Sequence, residues 1–164
     1  LKAQDVAEGK ITDDQKVADP FMAKYKTLRE FSRLGDLLRD RGRFKAALIE
    51  YTKAQESTPV ESPALSVKIA LTHLEGKNPG EARRLLEGTV ERYSSFAPAF
   101  TTLGMAQLEL GDKSGALKSF QEANAINPFD PGVHESMAAL YEVLGDGRSA
   151  EYERAILQQL VRKG

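Results

Sequence analysis

Two histidines, His73 and His134, are the residues best suited to move a proton near neutral pH, and they lie 61 residues apart. Each falls at a helical packing position, so packing is the stronger expectation for both, and neither an HExxH pair nor an EF-hand loop accompanies them. Gly111-Asp112-Lys113-Ser114 has the composition of a phosphate loop without the Gly-Lys adjacency and Gly spacing that such a loop needs, and it reads as a turn between helices. The chain has no Cys, which removes thiolate nucleophiles, disulfides and Cys-ligated zinc or iron–sulfur centres together. Its 24 Asp and Glu show no spacing that pairs two of them in a dry pocket. The expectation is therefore no catalytic residue, no metal ligand, no cofactor and no enzymatic activity in this segment.

The elements that carry these residues limit partners as well. No region carries a strong single-sign field: basic and acidic groups number five and five in residues 1–27, seven and six in 28–61, five and four in 62–96, six and nine in 97–164. Nucleic-acid binding draws on Lys and Arg neutralising phosphates, so this mixture argues against it, and Arg39, Arg41, Arg43 and Lys45 are interleaved with Asp36 and Asp40 as on a solvated face. No apolar run approaches the roughly 20 residues that cross a bilayer. A soluble chain of cytoplasm or periplasm is expected, and the Leu1 start is read as that of a fragment of a longer parent.

Internal self-similarity organises the rest. Gly42, Gly111 and Gly145 each end an apolar helical pattern at intervals of 69 and 34 residues, with Gly76 one residue short of the expected place. Residues 97–130 place Phe100, Leu103, Gly104, Gly111, Ala116, Phe120, Ala123 and Pro128 at the marking positions, and 28–61 place Phe31, Leu34, Gly35, Leu38, Gly42, Ala47, Tyr51, Ala54 and Pro59. Residues 63–96 keep Ile69, Ala70, His73, Ala82 and Leu86 without a closing Pro, and 131–164 keep His134, Met137, Ala138, Tyr141, Gly145, Ala150 and Leu157. The pattern resembles the tetratricopeptide repeat family over residues 28–164, with 63–96 the degenerate unit.

The spacing has a physical reading of its own. Apolar residues three or four apart over about a dozen residues, a break at Gly or Asn-Pro, and a second such stretch make a helical hairpin. Small residues stand where the helices of a pair must cross (Gly35, Ala47, Ala70, Ala82, Gly104, Ala116, Ala138, Ala150), and large ones fill the space beside them. A single hairpin leaves an apolar face bare, so neighbours stack. The fold class expected is all-α, a right-handed α–α superhelix of about four hairpins at 20–164, preceded by an N-terminal extension at 1–19 that serves as lid, linker or extra helix. Asp19-Pro20 is read as a cap that lengthens the first repeat helix by two turns, and Arg154, Gln158, Arg162 and Lys163 mark the last helix as the end of the array.

The resemblance also implies a function. In that family the first helix of each pair lines a concave groove that holds a peptide or helix of another protein. Carried onto this sequence, the groove positions are Ser32, Asp36, Arg39 and Asp40; Val67, Leu71, Leu74 and Glu75; Thr101, Met105, Leu108 and Glu109; Glu135, Ala139, Glu142 and Val143. Leu71, Leu74, Met105 and Leu108 make a greasy floor if they are exposed, and packing of one helix on another is the competing reading for all four. Each side chain that a partner desolvates adds roughly 1.5–3 kcal/mol before ordering costs, enough for micromolar binding from three or four. The rim of Glu75, Glu109, Glu135 and Glu142 favours ligands with Lys or Arg beside an apolar anchor. Members that clamp a C-terminal carboxylate use Lys, Arg and Asn where this chain has apolar or acidic residues. Two further readings stand beside the binding module. One is a repeat appendage of a larger bacterial enzyme, since Asn127-Pro128-Phe129-Asp130-Pro131 with His134 resembles the closing repeat of tails on some bacterial metallopeptidases. The other is a homo-oligomer in which residues 1–18 of one copy enter the groove of the next.

Overall fold

The computed structural model describes residues 28–163. The expected boundary at 19/20, the Asp19-Pro20 cap and the lengthened first helix lie outside the described residues. Those residues form α1 (28–40), α2 (Phe44–Glu56), α3 (Pro63–Glu75), α4 (Pro79–Arg92), α5 (Ala97–Glu109), α6 (Lys113–Ile126), α7 (Pro131–Val143) and α8 (Gly147–Lys163), with no strand among them.

The four turns inside the hairpins close alike. After α1, α3, α5 and α7 the chain reverses on a pair of backbone bonds: Arg43 N–H to Leu38 C=O, Asn78 to His73, Asp112 to Gln107 and Asp146 to Tyr141, at 2.8–2.9 Å, each with a second bond one residue inside it. This closure puts one residue in the left-handed region. Gly42, Gly111 and Gly145 take it at φ of 70°, 80° and 86°, and the fourth is Lys77 at φ 62°. Gly76, one place early in the sequence, keeps φ −79°. The turn thus holds the register of the repeat and puts a lysine where its siblings have glycine, at a cost of roughly 1 kcal/mol.

Helix starts are equally local. Asp112 accepts from Gly115 N–H at 2.8 Å, Asp130 from Gly132 N–H at 2.9 Å, and Asp146 from Ser149 N–H at 3.1 Å, each satisfying an N-terminal amide. Gly111-Asp112-Lys113-Ser114 is accordingly a turn and helix cap, and its carboxylate already occupies the amide that an anion would need. Pro63, Pro79, Pro98 and Pro131 sit in first helical turns.

By chain packing the described residues divide into two compact units, 28–61 and 62–163. In the first, Gly35 on α1 faces the Tyr51 ring on α2: a Cβ on Gly35 would lie 2.6 Å from Tyr51 Cδ1. The same tyrosine, fully buried, donates its hydroxyl to Asp36 Oδ1 at 2.7 Å, while Ala47 and Ala54 complete the buried face of α2.

In the second unit, α3 packs on α4 and α5, α4 on α5, α5 on α6, α6 on α7 and α7 on α8. One apolar cluster joins Val67, Ala70, Leu74, Ala82, Leu86, Ala99, Leu103 and Ala106 across α3, α4 and α5. A second joins Ala116, Phe120, Ala123, Val133, Met137 and Leu140 across α6 and α7, with Phe100, Leu117 and Tyr141 against it. Gly104 faces Phe120 as Gly35 faces Tyr51; a Cβ there would stand 2.9 Å from Phe120 Cζ. The buried hydroxyls of Thr72, Thr89 and Thr102 donate to carbonyls four residues back at 2.7–2.9 Å, so they cost the core little.

Candidate functional site

The groove positions separate by burial. On α3, Val67 is 9% exposed and Leu74 4%, both members of the first core cluster, while Leu71 is half-buried against it and Glu75 is exposed. Of the floor expected at Leu71, Leu74, Met105 and Leu108, Leu74 follows the competing reading of helix-on-helix packing, and the groove position Val67 is corrected with it: α5 packs closely on α3 and seals both. On α5 the same positions behave differently. Met105 is 43% exposed and Leu108 37%, Thr101 is half-buried, and Glu109 is exposed. Leu108 stands where Leu74 stands one repeat earlier, but α7 packs less closely on α5 than α5 does on α3, and the side chain stays open. On α7, Glu135, Ala139, Glu142 and Val143 are exposed, Val143 at 61%. In the first unit Asp36 holds the Tyr51 hydroxyl and Arg39 pairs with Asp40 at 3.7 Å.

The result is an apolar strip on α5, Met105 and Leu108 one turn apart, with a carboxylate at Glu109 and, on α7, Glu135 and Glu142 where α5 has Thr101 and Leu108. Glu142 is engaged by the Arg154 guanidinium from α8. The unsatisfied negative charge therefore concentrates at Glu109 and Glu135, both exposed. Such a face can desolvate apolar side chains and attract cations.

The histidines have separate fates. His73 is half-buried on α3, its Nδ1 without a partner, and its pKa lies below the ordinary value because burial outweighs the attraction of Glu81, with Arg84 adding to the fall. His134 is sealed at 1% exposure between two acceptors: Nδ1 lies 2.6 Å from Glu153 Oε2 on α8, and Nε2 lies 3.0 Å from the Pro128 carbonyl in the loop before α7. Burial alone would lower this imidazole, but the Pro128 carbonyl and the Glu153 carboxylate prevail and its pKa stands above the ordinary value. The pairing was not evident from the sequence, because 19 residues separate the partners. Aligning the repeats offers one signal: His134 takes the place of Phe31 and Phe100. No group of three or more His, Asp or Glu able to hold a metal ion occurs among the described residues. No helix among them is long and apolar enough to cross a membrane.

Residues 97–130 match the tetratricopeptide repeat. Over 115 residues, 70% of the chain, it is 37% identical to tetratricopeptide repeat protein 33 of Xenopus laevis, of which it spans 43% of the length. Among solved structures, MamA of Desulfovibrio magneticus RS-1 superposes with a TM-score of 0.72 at 18% identity, covering 90% of this chain and 89% of that one. The first repeat domain of Spaghetti (RPAP3), bound to the HSP90 peptide SRMEEVD, superposes with a TM-score of 0.68 at 18% identity, covering 73% and 96%. At such identities the superpositions establish the all-α helical-hairpin fold.

Proposed function

Because the chain belongs to the tetratricopeptide repeat family, we propose that it is a non-catalytic protein–protein interaction module whose partner lies against the first helices of the hairpins. The observation that carries this reading is the exposure of Met105 and Leu108, two large apolar side chains a helical turn apart in a unit whose other leucines at such positions are buried or half-buried. In this reading Thr101 and Glu109 flank the strip on the same helix, and Glu75 on α3 and Glu135, Ala139 and Glu142 on α7 are the exposed groove positions of the neighbouring first helices. Half-buried Leu71 packs against the core, and Val67 and Leu74, sealed within it, do not meet the partner. The partner is a protein segment with apolar anchors and Lys or Arg beside them, because Glu109 and Glu135 gain from a cation and repel an acidic tail. The HSP90 peptide SRMEEVD seen with Spaghetti carries acidic residues, the opposite of the ligand expected here.

The test is direct. Fluorescence anisotropy of the full chain with a random peptide library should enrich sequences that combine apolar and basic residues. Met105→Asp with Leu108→Asp should abolish their binding while leaving helicity and melting nearly unchanged, since both sites are solvent-facing. Enrichment of acidic peptides, or binding that survives the double variant, overturns the reading. Light scattering on the same samples separates this from self-association.

A further inference from the structure

The two nitrogens of His134 both face acceptors. A neutral imidazole has one N–H and can satisfy one of them, leaving a lone pair aimed at an oxygen; an imidazolium donates to both. Burial sharpens the requirement, because Glu153 is only 5% exposed and its charge, if not met by that proton, sits in the interior uncompensated. The groups that act on His134 are Glu153 from α8, Asp130 at the cap of its own helix, and the Pro128 carbonyl in the loop that leaves α6. The two N–H bonds of one imidazolium therefore tie three segments together: the 127–130 loop, α7 and α8.

Neighbouring repeats do without this arrangement. Where the last repeat has His134 and Glu153, the third has Phe100 and Ser119; the phenyl ring packs against the second core cluster, and Ser119 is satisfied by Gln107 at 2.7 Å. The fold can fill the position with carbon alone. We propose that the His134–Glu153 pair is a proton-operated clasp on the last hairpin, closed while the imidazolium donates Nδ1–H to Glu153 and Nε2–H to the Pro128 carbonyl, and loosened when it loses one of these two protons. Opening detaches α8 from α7 and uncovers the buried apolar residues of that hairpin outside the α6–α7 cluster, Ala138 and Ala150. It alters the last hairpin, including the Glu142–Arg154 pair, without requiring that anything be bound.

The experiment uses the 164-residue chain and its two histidines, which report on each other. In an NMR titration of the imidazole protons, His134 should titrate above about 6.5 and His73 below it, the His134 signal being assigned by its disappearance in His134→Phe/Glu153→Ser, a transplant of the third repeat's own pair. Amide exchange across 147–160, corrected for intrinsic rate and referred to α6, should speed up between pH 6 and 8.5. The gain is up to about tenfold for each unit by which His134 exceeds its ordinary value. The transplant should be flat over that range. A His134 midpoint at or below that of His73, unchanged protection of α8 in the parent chain, or the same acceleration in the transplant overturns the proposal.

Discussion

Placing a methyl group on Gly104 tests whether the hairpins are held by the fit of a small residue against a ring. Its Cβ would stand 2.9 Å from Phe120 Cζ and 3.0 Å from Cε1 and Cε2, inside any normal carbon contact, and Phe120 is 1% exposed, in an interior that is close-packed. Overpacking of this kind costs about 1–3 kcal/mol, and the better helix propensity of Ala returns about 1 kcal/mol. Gly104→Ala should therefore destabilise by about 0–2 kcal/mol. The second repeat shows how to accommodate the methyl: there Ala70 and Leu86 occupy the same two positions, both fully buried. Phe120→Leu alone leaves a gap and should cost about 1–2 kcal/mol, but combined with Gly104→Ala the two changes should compensate, with a coupling of about 1–2 kcal/mol. Urea unfolding of the four proteins gives the cycle. Additivity within about 0.5 kcal/mol would refute the argument, because it would mean that the glycine and the ring are not in contact through the hairpin.

Lys77→Gly should stabilise by roughly 0.5–1 kcal/mol, since Lys77 holds the left-handed position that glycine fills in the other turns, and Gly111→Ala should cost about 1 kcal/mol; urea midpoints measure both. Leu74→Asp should unfold the second unit, by several kcal/mol, whereas Leu108→Asp at the same repeat position should change melting by less than about 0.5 kcal/mol, a contrast that circular dichroism reads directly. Stability should crest near pH 6.5. Above that value the unfolded chain loses its His134 proton first, so the stability contributed by His134 is complete below 6.5 and lost as pH climbs through its raised folded value. Below 6.5 the unfolded chain takes up a proton that folded His73 resists, so stability also falls towards the lowered value of His73. Urea unfolding between pH 5.5 and 8.5 should show both limbs, and His73→Leu should flatten only the acid one.

What the sequence determined on its own is local and periodic. Glycines at 42, 111 and 145 mark turns because they alone enter the left-handed region without cost, and alanines at 47, 82, 116 and 150 mark helix crossings because no larger side chain fits; all four are fully buried. Tertiary structure decided the rest, through distances that no spacing encodes. Gly76 yielded to Lys77 because the turn must close on the His73 carbonyl to keep α4 against α3, and that demand exceeds the cost of one strained lysine. Leu74 and Leu108 are the same residue in the same repeat position, yet one is sealed and the other open, because how closely the next helix approaches is a property of the packed unit. His134 and Glu153 each look ordinary along the chain; only the closure of α7 on α8 brings them to 2.6 Å and makes a buried proton necessary.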